Sequence, residues 1–113
     1  MHELALAEGI LDIVRAQAAA QKFTRVKSIQ LLVGGLSTVE PEALAFGFEV
    51  AARGTPAEGA TLQFERPAGR AFCTACDREV PVSKRGDPCP ECGAFRWVLM
   101  SGDELRVQSL EVD

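Results

Sequence analysis

Four cysteines lie within twenty residues of this 113-residue chain, and their spacing constrains the fold more than any other feature. They form two Cys-x-x-Cys pairs that are separated by twelve residues, namely Cys73 with Cys76 and Cys89 with Cys92. Two intervening residues let the chain turn so that both sulfurs of a pair face one ion, and the longer gap accommodates a hairpin that brings the pairs together. Four thiolates in a tetrahedron favour Zn(II), with iron as the competing metal. We therefore predict that residues 69–99 form a zinc-binding module.

Other uses of four cysteines fit this sequence less well. Two disulfides would allow three pairings and would suit an exported mini-protein. No secretory signal is recognisable in the first residues, so we expect a reducing, cytoplasmic location. A thioredoxin-type redox pair is disfavoured because two neighbouring Cys-x-x-Cys pairs would both be drawn to metal. Four protein ligands leave no coordination position for water, and we therefore expect the zinc to be structural.

Composition narrows the classes of function that remain. The chain is 47% apolar with a net charge of −4, and its apolar runs are far shorter than the roughly 20 residues of a membrane span. An acidic chain without a basic stripe is a poor candidate for nucleic-acid binding. A zinc-ribbon adaptor and a rubredoxin-like iron centre for electron transfer both remain open as alternatives. An enzyme is the least supported class, because no nucleophile–base motif or phosphate-binding glycine loop is present.

Periodicity predicts two helices and three strands outside the cysteine module. Helices are expected at 3–21 and from Pro41, with a stop at Gly54, and strands at 25–33, 61–66 and 104–112. This order predicts an α+β fold in which two helices lie on a small three-stranded sheet, with the four-cysteine zinc ribbon inserted between the second and third strands. The corresponding domains are 1–68 with 100–113, and 69–99.

Several side chains carry specific expectations. On the first helix, Leu4 falls on the face predicted to be buried. Three phenylalanines, Phe46, Phe48 and Phe64, are assigned to the core. The two aromatic residues that follow the second cysteine pair, Phe95 and Trp97, are expected to pack beneath the ribbon rather than to form a base-stacking surface. A left-handed backbone suits the residue that follows each cysteine pair; this is Gly93 after the second pair and Asp77 after the first.

A second candidate metal site lies at the N-terminus, where His2 is the only histidine of the chain. The amine of Met1, the backbone nitrogen of His2 and its Nδ1 can form fused five- and six-membered chelate rings. Glu3 can add a fourth donor through its backbone nitrogen or its carboxylate. Such a planar, nitrogen-rich set suits Ni(II) or Cu(II) better than Zn(II). The alternative is a solvated helix entry with an acid at the positive end of the dipole, and residue chemistry alone leaves both interpretations open.

Motifs along the whole chain add a resemblance to a known family. The chain resembles the HypA/HybF family of hydrogenase maturation factors in the following segments: Met1-His2-Glu3, Val33-Gly34-Gly35-Leu36-Ser37, Val39-Glu40-Pro41-Glu42-Ala43-Leu44, Arg53-Gly54-Thr55, Glu58-Gly59-Ala60, both cysteine pairs, Gly102-Asp103-Glu104-Leu105 and Ser109-Leu110-Glu111-Val112. Asp77 departs from the glycine that the family often has after the first pair, and Gly35 stands where a larger residue is common. Neither departure touches a predicted ligand.

The resemblance implies a nickel metallochaperone that assists insertion of Ni(II) into the large subunit of [NiFe]-hydrogenase, and in some organisms into urease. It implies nickel ligation by Met1, His2 and Glu3, so that residues 1–68 with 100–113 become the nickel-binding domain. It assigns structural zinc to the four cysteines: Cys73, Cys76, Cys89 and Cys92. It also implies a HypB-type GTPase as partner. We expect a monomer or weak homodimer.

Overall fold

The computed structural model describes residues 3–113 together with the backbone of His2. Helix α1 spans His2–Gln21, as predicted. Its buried stripe comprises Ala7, Ile10, Leu11 and Val14. Leu4, expected on that stripe, is instead 40% exposed. The neighbouring helix presents Gly47 there, and the missing side chain leaves Leu4 only partly covered.

The first sheet has three strands in the order β2–β1–β6. Strand β1 spans Val26–Val33, β2 spans Thr61–Glu65 and β6 spans Leu105–Val112. The last three residues of β1 are all buried, so this central strand is covered on both faces near its end. The three predicted strand positions therefore agree with the structure to within about a residue at each end.

Helix α2 spans Pro41–Ala51 and begins with proline in its first turn. Leu44 and Phe48 are buried, whereas Phe46 is 70% exposed and Phe64 is half-buried. The assignment of Phe46 to the core is therefore wrong. At about 100° per residue, Phe46 lies roughly 200° around the helix from both buried neighbours, on the opposite face.

The cysteine module forms a second sheet of order β4–β3–β5. Strand β3 spans Gly69–Cys73, β4 spans Arg78–Val82 and β5 spans Trp97–Ser101. Both neighbours pair antiparallel with β3. One face of this sheet buries a small cluster: Leu36, Ala71, Cys73, Val80, Val82 and Cys89. The predicted α+β fold with an inserted four-cysteine module is confirmed.

The chain divides into two compact units. One comprises the chain up to Leu31 with Val39–Phe64 and Val107–Asp113, and the other comprises Leu32–Thr38 with Glu65–Arg106. The loop after β1 joins the second unit through its backbone: the N–H groups of residues 34, 35 and 36 donate to the carbonyls of Glu104, Pro67 and Gly102 at 2.7–2.8 Å. The unit that contains the cysteines therefore extends beyond 69–99.

Within the described residues, neither helix meets the length and apolarity that a membrane crossing requires.

Gly34 marks a close backbone approach, and its substitution by alanine is expected to destabilise the second unit by about 3 kcal/mol. A Cβ at this position would collide with the backbone of Gly102 and with the nitrogen of Asp103, which cannot yield as a flexible side chain would. Urea unfolding followed by the fluorescence of Trp97, the single tryptophan and a residue of β5, measures the change in the free energy of unfolding.

Gly9 provides the matched control for this substitution. It lies within α1, and no atom beyond its chain neighbours and the backbone of its own helical turn lies within 4 Å of the place that a Cβ would take. Gly9→Ala should therefore add up to about 1 kcal/mol of helix stability. Equal stability of Gly34→Ala and the unsubstituted chain would contradict the close approach.

Candidate metal centre

The four cysteine sulfurs converge on one point at the end of β3. The Sγ atoms of Cys73 and Cys92 lie 3.6 Å apart, and those of Cys76 and Cys89 lie 3.8 Å apart. All four sulfurs lie within 4.8 Å of one another. A tetrahedron with Zn–S bonds of about 2.3 Å has S···S edges of about 3.8 Å, and the two separations of 3.6 and 3.8 Å match such edges. The cluster is able to hold a zinc ion.

Two similar backbone turns place these sulfurs. The N–H of Asp77 donates to the carbonyl of Cys73, and the N–H of Gly93 donates to that of Cys89, both at 2.8 Å. Both turn residues have positive φ, 56° at Asp77 and 78° at Gly93. The expected left-handed backbone is thus confirmed at both positions. Aspartate tolerates this region better than most residues, which explains how the chain keeps the first turn without glycine.

The thiols differ in how readily they ionise. Backbone hydrogen bonds, foremost from the N–H of Cys76, lower the pKa of Cys73 to about 7 against the opposing effect of burial. Burial, together with hydrogen bonds that its thiol donates to the neighbouring cysteine sulfurs, raises the pKa of Cys76 to about 12. Four negative sulfurs are therefore not stable together without a compensating cation. A bound dication supplies that compensation, and its binding must displace protons.

The ring of Trp97 supports the centre, whereas Phe95 does not. Trp97 is half-buried, packs against the cysteine cluster and donates its Nε1–H to the carbonyl of Asp87 at 2.7 Å. Phe95 is 73% exposed, so its predicted packing beneath the ribbon is wrong. Strand β5 begins only at Trp97, and the chain bends at Phe95, so the alternation of the strand does not extend back to that side chain.

The donor set limits the chemistry of this centre. The four cysteines are the one group of three or more metal-binding side chains that the described part of the chain brings together. A metal held by all four sulfurs has a complete tetrahedral sphere, which is the arrangement of structural zinc sites.

Sequence reasoning missed Leu36, which packs in the same buried cluster as Cys73 and Cys89 although it lies 37 residues before Cys73. The Gly34-Gly35 pair is the only sequence signal for that approach.

The predicted nickel ligands are mostly beyond what the structure describes. Met1 and the side chain of His2 lie outside the described residues. Glu3 is half-buried in the first turn of α1, where a negative charge interacts favourably with the helix dipole.

The chain is similar to known proteins over its entire length. A family model described as "Hydrogenase/urease nickel incorporation, metallochaperone, hypA" matches residues 1–112. The hydrogenase maturation factor HypA of Azotobacter chroococcum mcd 1 is 49% identical over 113 residues, covering 100% of both chains. That of Alkalilimnicola ehrlichii is 47% identical over the same length, again covering 100% of both chains.

Solved structures share the fold at low sequence identity. The solution structure of the Ni metallochaperone HypA from Helicobacter pylori superposes with a TM-score of 0.70 at 16% identity, covering 97% of this chain and 96% of that one. A second HypA solution structure gives a TM-score of 0.72 at 18% identity, with 99% and 96% coverage. At these identities the superpositions establish the fold alone. Family and relatives agree over the full length, and on that ground the chain belongs to the HypA family of hydrogenase maturation factors, whose members are nickel metallochaperones.

Proposed function

We propose that this chain carries Ni(II) in a site built from its N-terminal residues and assists its insertion into the large subunit of [NiFe]-hydrogenase. The match of the nickel-incorporation family to residues 1–112 is the observation that carries this proposal. The sequence Met1-His2-Glu3 supplies the donors. In this proposal the chain acts in the cytoplasm with a HypB-type GTPase as partner, and urease is an additional client where the organism makes one.

The donor chemistry supports nickel as the cargo. The amine of Met1, the backbone nitrogen of His2 and its imidazole Nδ1 form two fused chelate rings, and Glu3 offers a fourth donor. Nitrogen-rich square-planar sets favour Ni(II), whereas the thiolate tetrahedron favours Zn(II). Each metal is therefore expected to bind where its preferred donors lie. Nickel binds in the domain of residues 1–68 with 100–113, and zinc binds in residues 69–99.

Zinc has a structural role in this proposal, and the protein is a carrier rather than an enzyme. The ligands are the four clustered cysteines: Cys73, Cys76, Cys89 and Cys92. A closed sphere of four thiolates leaves no position at which zinc could activate water or a substrate. Release of nickel from a short chelate at the chain terminus needs only the loss of a few bonds, which suits a protein that must hand its metal on.

Extension of the N-terminus by a short Gly-Ser segment tests this proposal. The new terminal amine is then separated from His2 by the whole segment and cannot join the chelate. The extension converts the amine of Met1 into an amide, so nickel affinity is expected to fall by roughly a hundredfold or more. Competition titration with a chelator of known nickel affinity measures the loss.

The same segment added after Asp113 is the matched control and should leave nickel affinity within about twofold, because the terminal amine stays free. Zinc content should stay at one per chain in both proteins. Undiminished nickel affinity in the N-terminally extended protein would exclude the terminal amine as a ligand.

A further inference from the structure

An open groove of about 360 Å³ lies between α1 and β6. One wall is a stripe of α1 with a spacing of four residues, formed by Ile13, Gln17 and Gln21. The other wall is β6, which contributes most of the residues from Val107 to Val112. Every lining residue is uncharged, although a quarter of the chain is charged. The groove is therefore an uncharged surface on an acidic protein.

Strand β6 presents a free backbone edge to this groove. The sheet order β2–β1–β6 gives β6 a partner on one side, and no strand of the described chain pairs with its other side. From Val107 to Leu110 the strand contains neither proline nor a charged residue, which are the usual means of protecting an edge. Unpaired N–H and C=O groups along an edge can accept an additional strand.

The helical wall adds groups that recognise polypeptide backbone. The Nε2 of Gln21 donates to the Oε1 of Gln17 at 3.1 Å, which leaves both N–H donors of Gln17, and one N–H donor and the carbonyl acceptor of Gln21, for a ligand. Ile13 is 44% exposed and Val112 is 37% exposed, so apolar surface lies beside these amides. Amide side chains bind peptide groups whatever the side chains of the peptide are.

We propose that this groove binds an extended, uncharged segment of a partner protein as an additional strand on β6, with the stripe of α1 covering one of its faces. A strand added to an edge lies about 4.8 Å from it, within the space that α1 borders. A charged segment would lose hydration against walls that offer no counter-charge, and it is disfavoured for that reason. The proposal concerns a surface distinct from the cysteines and does not depend on nickel binding.

The test uses a synthetic probe, acetyl-Ser-Val-Thr-Val-Thr-Val-Ser-amide, titrated into the full-length zinc-loaded protein. Amide NMR shifts are expected to concentrate in residues 107–112 and along the stripe at Ile13, Gln17 and Gln21. Ile13→Lys should weaken binding by about tenfold, because it removes apolar contact and places a charge in the groove. The probe with proline in place of its central valine should not bind, since proline lacks the donor that strand pairing needs.

Phe46→Lys is the matched control, because it also replaces an exposed apolar helical residue by lysine but lies on α2 and outside the groove. It should leave probe affinity within about twofold, as expected for a surface change that touches no ligand. Unchanged zinc content and helical circular dichroism establish that each variant is folded. Shifts that map elsewhere, equal weakening by Phe46→Lys, or preferred binding of probes carrying lysine or glutamate would each overturn the proposal. So would sedimentation as a dimer that Ile13→Lys converts to monomer, since a second copy would then occupy the groove.

Discussion

Replacement of Cys73 by serine is expected to abolish stoichiometric zinc binding and to unfold the second sheet. Cys73 is fully buried at the end of the central strand β3, and its sulfur is one of four that lie within 4.8 Å of one another. Structural zinc contributes roughly 10–16 kcal/mol to folding in small zinc domains. The buried cluster of this sheet has only six residues, two of them cysteines, and cannot replace that contribution. Zinc content by mass spectrometry and the fluorescence of Trp97 measure the two effects.

Cys92→His provides a matched comparison at a more tolerant position. Cys92 is exposed, so a larger ligand can be accommodated there, and sets of three cysteines with one histidine are established zinc sites. This variant is expected to retain one zinc per chain with reduced affinity. If Cys73→Ser kept both its zinc and its Trp97 signal, the centre would not be what holds the sheet together.

The elements outside the cysteine module were predictable because their apolar residues repeat at the period of a helix or a strand. Helix α1 and strand β1 begin and end within about one residue of the predicted bounds, since the apolar pattern is regular in both and Gly34-Gly35 ends the strand. The cysteine cluster was predictable from spacing alone. Phe46 was not, because hydrophobicity by itself does not distinguish the buried face of α2 from the face opposite Leu44 and Phe48.

Features that depend on tertiary structure were beyond the sequence. The exposure of Phe95 follows from where β5 begins, and the burial of Leu36 follows from hydrogen bonds between distant loops. The groove on β6 has no motif, because it exists only once the sheet order leaves that strand at an edge beside α1. Local patterns thus specify elements and metal ligands, while surfaces for partners arise from how the elements are ordered.

Replacement of His2 by alanine is expected to reduce nickel affinity by roughly a hundredfold or more, which is on the order of 3 kcal/mol. The substitution removes the imidazole and with it one of the two fused chelate rings of the proposed site. No other histidine can substitute, since His2 is the only one in the chain. Zinc content and helical circular dichroism should be unchanged, because zinc is assigned to a separate thiolate site. Isothermal titration of the zinc-loaded protein with Ni(II) measures the loss.

Two further variants separate the roles of the neighbouring acids. Glu3→Gln removes a carboxylate but keeps the backbone nitrogen, so its nickel affinity tells which of the two is the fourth donor. Glu8→Ala, on the exposed side of α1, should leave affinity within about twofold. Retention of full affinity by His2→Ala would exclude the imidazole as a ligand and contradict the proposed site. An X-ray absorption spectrum with sulfur neighbours around nickel would move the cargo to the thiolates. Zinc and nickel would then compete for one site, and a carrier that must stay folded while it releases its metal could not work in that way.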